Sequence, residues 1–88
     1  MKNYLELIED YNFELNEANE IIMTSHFNKE ELAYDLLEKI NETSKVTVSV
    51  CTYPDDNDKT FTADFFFSTD NLTNEEIAYV CNILECFR

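Results

Sequence analysis

Glu20-Ile21-Ile22-Met23-Thr24-Ser25 is echoed forty-four residues later, counting from 20 to 64, by Asp64-Phe65-Phe66-Phe67-Ser68-Thr69. Glu30-Glu31-Leu32-Ala33-Tyr34 is then echoed by Glu75-Glu76-Ile77-Ala78-Tyr79. Each copy runs from an acid through three apolar residues and two hydroxyls to a helix start. The second copy lies in an alternating stretch, Thr60 to Ser68, with Phe61, Ala63, Phe65 and Phe67 on one face. That period of two specifies a half-buried strand. If the second copy is strand then helix, the first is read the same way.

Lys45 to Tyr53 also alternates, with Val46, Val48 and Val50 on one side. It pairs with Thr60 to Ser68 as a hairpin, 45–53/60–68, joined by the polar loop Pro54 to Asp58. With no glycine in the chain, Asn57 is the residue expected to take a left-handed conformation there. One helix is expected near 28–41, capped by Asn28 and stopped at Asn41, with Leu32, Leu36, Leu37 and Ile40 as its stripe. Another is expected near 73–87, opened by Thr73 with Glu76 at the capping-box position and striped by Ile77, Val80, Cys81, Leu84 and Phe87.

The first 25 residues admit two readings. Tyr4, Ile8, Tyr11, Leu15, Ala18 and Ile22 fit one long helical stripe, whereas Tyr11, Phe13 and Leu15 alternate as a strand does. The repeat favours a short helix over 3–9 and strands over 11–15 and 20–25. The expected fold is α+β: a small antiparallel sheet in ββαββα-like order with helices packed on one face. The length suits one domain over residues 1–88.

Nineteen Asp plus Glu stand against six Lys plus Arg, a net charge of −13. Direct binding to nucleic acid is excluded as an expectation, because the phosphate contribution would be repulsive. Glycine-rich phosphate loops are excluded by composition. Yet 44% hydrophobic and 14% aromatic residues are too many for a disordered acidic tail. Three cysteines without paired spacing, Cys51, Cys81 and Cys86, read as reduced thiols of a cytoplasmic protein. No secretory apolar region and no membrane span is expected.

His26 is the lone histidine, and nothing in the sequence places an activating neighbour beside it. Asp55, Asp56 and Asp58 crowd one loop, but the glycine that a calcium loop requires is missing. Zinc needs a Cys/His cluster, which is absent. No enzyme activity, metal or cofactor is expected.

The acids are spread through nearly every element, and −13 exceeds the roughly 2–8 charges that solubility asks of a small domain. The expected function is therefore binding to a basic partner, itself a nucleic-acid-binding protein, through surface carboxylates. The residues expected to make that contact are Asp55, Asp56, Asp58, Asp64, Asp70, Glu75 and Glu76. Tyr53 and Phe66, aromatic on an otherwise polar sheet face, form the patch expected to meet a partner or a second copy in a homodimer.

Short, acidic, globular and without a catalytic signature, the chain resembles in type the nucleic-acid-mimic inhibitors, such as anti-restriction and anti-CRISPR proteins. The resemblance implies a viral inhibitor of a nucleic-acid-handling machine. Its element order, its acidity and the run Phe67-Ser68-Thr69-Asp70-Asn71-Leu72-Thr73-Asn74-Glu75-Glu76 are also similar to the type III secretion chaperones. That likeness implies an α-β-β-α-β-β-α topology and an alternative function, a dimeric module that receives polypeptide in a hydrophobic groove.

Overall fold

The computed structural model describes residues 4–57 and 59–86; Asp58 and Phe87, both named above, lie outside them. Seven elements follow in order: α1 (Tyr4–Tyr11), β1 (Glu14–Leu15), β2 (Glu20–Phe27), α2 (Glu30–Thr43), β3 (Ser49–Pro54), β4 (Phe61–Ser68) and α3 (Asn74–Cys86). The strands form one antiparallel sheet in the order β1-β2-β4-β3. The α+β class, the sheet and its ββαββα core order are as the sequence predicts.

The central ladder pairs Ile21 with Phe67, Met23 with Phe65 and Ser25 with Ala63. All six side chains are buried, because every second residue of each strand faces the helices. Large apolar pairs fill the middle of this face, and the small Ser25–Ala63 pair lets the Phe27 ring meet Phe65 edge-on at 6.1 Å. Ala33, Leu36 and Ile40 of α2, with Ile77, Val80, Cys81 and Leu84 of α3, complete a single core that also takes Ile8 of α1. All three helices therefore cover the same face.

Ile22 stands directly opposite Phe66, and these are equivalent residues of the internal repeat, 22 and 66. An antiparallel ladder that pairs a residue with its own repeat copy has a local two-fold axis through that pair. The offset of 44 persists into the helices: buried Ala33, Leu36 and Ile40 correspond to buried Ile77, Val80 and Leu84. The Glu-Glu-x-Ala-Tyr match at an offset of 45 is thus one residue out of structural register. Burial, not residue identity, carries the repeat.

Several boundaries differ from expectation for physical reasons. The long N-terminal helix is excluded by Asn12, whose φ of 59° breaks α1. The 11–15 strand shrinks to two residues, because Tyr11 ends α1 and Phe13 turns into the core. Positive φ among the described residues falls at Asn12, Asn19 and Asn71. Asparagine tolerates that region through its short polar side chain, and it does so here in a chain without glycine. Asn57 instead serves its loop by side chain, accepting from the amides of Lys59 (2.8 Å) and Thr60 (3.1 Å).

The 45–53 strand begins only at Ser49. Asn41, expected as a helix stop, lies inside α2 and clamps Val48: its Oδ1 accepts from the Val48 amide at 2.9 Å, and its Nδ2 donates to the Val48 carbonyl at 3.2 Å. A side-chain amide thereby takes the place of a neighbouring strand, and Val46 and Val48 are buried without a ladder.

The helix expected from 28 starts at Glu30, with Lys29 at the N-cap and no side-chain capping bond. In contrast, α3 has a complete capping box. The Glu76 amide donates to Thr73 Oγ1 (3.2 Å), and the Thr73 amide donates to Glu76 Oε1 (2.9 Å). Thr73→Ala is accordingly expected to lower stability by about 1 kcal/mol, while Asn28→Ala leaves it nearly unchanged. Urea unfolding of the two variants checks the contrast.

Candidate functional site: an acidic helix and an uncovered sheet face

The carboxylates singled out from sequence do not form one cluster. Asp55 and Asp56 lie at the β3–β4 turn, Asp64 is in the middle of β4, and Asp70, Glu75 and Glu76 follow its far end. An eight-residue strand separates the two groups by about 23 Å. Each end is built differently.

At the turn, Asp55 accepts from the hydroxyls of Thr60 and Thr62. These bonds hold its carboxyl below the usual range, with a smaller contribution from the nearby His26 ring. The Thr62 hydroxyl, donating to Asp55, lies 3.2 Å from His26 Nδ1 and so accepts from an Nδ1–H there. Asp64 accepts from Thr24 Oγ1 at 2.6 Å and from the Tyr53 hydroxyl. That bond, more than burial, raises the Tyr53 phenol above its ordinary pKa. Asp55 and Asp64 thus bind strands together across the outer face of the sheet as well as bearing charge.

At the far end, the Thr73 amide and hydroxyl bonds hold the Glu76 carboxyl below the usual range. A carboxyl depressed by folding contributes stability above its unfolded pKa and loses it as pH falls through the folded one. The stability difference between the wild type and Glu76→Gln should therefore be constant above about pH 5 and shrink below it. Thermal melts of both proteins across that range give the comparison. Asp70 and Glu75 are exposed, as is Asp56 at the other end.

Sequence reasoning missed an acidic surface on α2. On α2, Ala33, Leu36 and Ile40 face the core, while Glu31, Asp35, Glu38 and Glu42 recur at spacings of 4, 3 and 4 and are all exposed. At 100° per residue the two sets lie on opposite sides of the helix. The acids form a straight outward stripe about 16 Å long. Glu30, whose Oε1 accepts from Thr52 of β3 at 2.9 Å, ties its start to the sheet end that bears Asp55. Its far end lies where Thr43 and Ser44 share a cleft with Lys45, Glu75 and Glu76. The 4-3-4 spacing is legible in the sequence, whereas the burial of the opposite side is not.

The uncovered face of the sheet carries Ile22, Thr24 and His26 of β2, Thr62, Asp64 and Phe66 of β4, and Cys51 and Tyr53 of β3. Tyr53 and Phe66 share this face, but Tyr53 lies opposite Thr62 and Phe66 opposite Ser49. Four residues, about 13 Å, separate them along the strands, with Asp64 between. Cys51 and His26 lie on strands to either side of β4, opposite Asp64 and Thr62, about 12 Å apart. Among the described residues no three His, Cys, Asp or Glu side chains are grouped to hold a metal ion. Cys81 is buried, which pushes its thiol up to about 12, so it packs as a small hydrophobe.

The chain matches no protein-family model, no curated protein and no solved structure. No helix among the described residues is long and apolar enough to cross a membrane.

Proposed function

We propose that the chain is a non-enzymatic binding protein that engages a basic, nucleic-acid-binding protein through carboxylates and inhibits it by occupying the nucleic-acid site. The observation that carries this reading is the exposed stripe Glu31, Asp35, Glu38 and Glu42 on α2. Its charges advance by about 5 Å along a rigid axis, the same order as the phosphate charge along one nucleic-acid strand, about 3.4 Å each. Beyond the helix, Glu75 lines a cleft with Glu76 and Lys45. Such a field accelerates encounter with a positive groove and repels nucleic acid itself. Small acidic inhibitors of the anti-CRISPR and anti-restriction type work on this principle. The free thiols of Cys51, Cys81 and Cys86 suit a reducing compartment such as the cytoplasm.

The alternative, a dimeric chaperone-like module, draws on the uncovered sheet face and an apolar groove beside α2. The two readings differ in their response to salt. Capture of partners at about 50 mM salt, followed by a salt gradient, should recover a basic protein whose affinity falls steeply toward about 500 mM, where screening is short-ranged. A partner held equally well at both salts would support the hydrophobic reading instead.

A further inference from the structure

One flank of α2 offers apolar surface. Leu32, 46% exposed, borders a groove of about 300 Å³ formed with Phe27, Asp35, Leu36 and Lys39. Phe27 comes from the end of β2, where it packs on Phe65, and Leu36 is part of the core. The apolar wall is therefore held by the fold, and Leu32 is its outward lip.

The groove lies directly against the acidic stripe. Glu31 precedes Leu32 and Asp35 follows it by three residues, so both lie to its stripe side on the helix, and Glu38 follows Asp35 by nearly one turn. Lys39 closes the other end of the groove, one turn beyond Asp35 at the spacing of a helical ion pair. Positive charge is thus drawn to the outer and N-terminal side, and apolar surface is offered beside it. A second copy is a poor occupant, because each chain brings −13 and the stripes would face one another.

We infer that this groove is the apolar anchor of the acidic site: it receives a large apolar side chain from a short basic amphipathic segment, whose cations lie on Glu31, Asp35 and Glu38. This rests on the basic-partner reading and adds to it a component that salt does not screen. The segment's apolar residue enters between Phe27 and Leu36 under Leu32, and its flanking Lys or Arg side chains reach the stripe. Charge then governs encounter and selection, while the groove fixes position along α2.

The test uses three synthetic helical peptides: one of Lys with Leu at i, i+3, i+4 and i+7, one with Gln at those positions and the same charge, and one carrying the Leu pattern with Gln for Lys. Affinity is measured by fluorescence anisotropy at about 50 and about 300 mM salt. The Lys/Leu and Lys/Gln peptides should both bind at low salt, and only Lys/Leu should persist at high salt. Leu32→Gln, at an exposed site and with good helix propensity, should weaken the Lys/Leu peptide by about tenfold or more, the scale of one buried leucine. It should leave the Lys/Gln peptide unchanged.

If the two charged peptides bind alike at both salts and Leu32→Gln alters neither, the anchor is wrong while the electrostatic reading stands. If neither binds at low salt, the electrostatic reading fails and the anchor with it. If the uncharged Leu peptide binds as tightly as Lys/Leu, the groove accepts apolar segments regardless of charge, and the basic occupant is overturned.

Discussion

Replacing Glu31, Asp35, Glu38 and Glu42 together by Gln, Asn, Gln and Gln is expected to weaken binding to the basic partner by roughly 30- to 150-fold near 100 mM salt. Exposed ion pairs are each worth about 0.2–1 kcal/mol, and four acting on one groove give about 2–3 kcal/mol, with tenfold in affinity for every 1.4 kcal/mol. The substitutions keep the helix, because Gln has nearly the propensity of Glu and the four sites face away from Ala33, Leu36 and Ile40. The salt dependence of the remaining binding should also flatten, since fewer charges then take part. The matched control removes the same four charges elsewhere, at Glu6, Glu9, Glu14 and Glu17, all exposed on or near α1 and β1. If net charge alone governs binding, the two quadruple variants lose affinity equally. If the stripe is the site, the control loses only a few-fold. Titration by isothermal calorimetry separates the outcomes.

Phe65→Ala is expected to remove a large share of the domain's stability at 25 °C. The ring is fully buried, lies across from Met23 and Val50, and meets Phe27 edge-on. Truncating a buried Phe costs about 3–5 kcal/mol, a large share of the roughly 5–15 kcal/mol that holds an ordinary domain. A core this small leaves little margin. One residue along, Phe66 points to the uncovered face, where its partners across the sheet are Ile22 and Ser49. Phe66→Ala should cost about 1 kcal/mol or less. Urea denaturation of the pair therefore tests the sheet register itself. Equal losses would mean that the outer face is covered, or that β4 is shifted by one residue.

The same pair shows what was legible in the sequence. Alternation around Phe65 assigned its face correctly, and the echo of Glu20–Ser25 by Asp64–Thr69 placed two strands that prove to be direct partners. Thr73 and Glu76 announced a capping box that forms in full. Asn28 carried the same local signal and makes no cap in the structure, since α2 starts two residues later. Val46 and Val48 satisfied the strand pattern, yet a side chain seven residues earlier in the chain from Val48, Asn41, supplies the bonds a strand would have made. Periodicity records which side is buried, not which group answers the backbone.

The site was legible only in part. Asp55, Asp64 and Glu76 were visible as acids, but their hydroxyl and amide partners depend on strand pairing and helix entry. The α2 stripe needed no tertiary information. Its spacing alone sets Glu31, Asp35, Glu38 and Glu42 on one line, and only the burial of the opposite side was left for the fold to supply. The repeat likewise held its offset through the buried positions where the matching residues had drifted by one.

The most direct test of the proposed function is competition. The basic protein recovered by low-salt capture is loaded with a fluorescent oligonucleotide and titrated with the chain, while the anisotropy of the oligonucleotide is followed. Nucleic-acid mimicry predicts that the oligonucleotide is released as the chain binds, and that the stripe variant fails to release it at the same concentration. A complex in which chain and oligonucleotide remain bound together would contradict it.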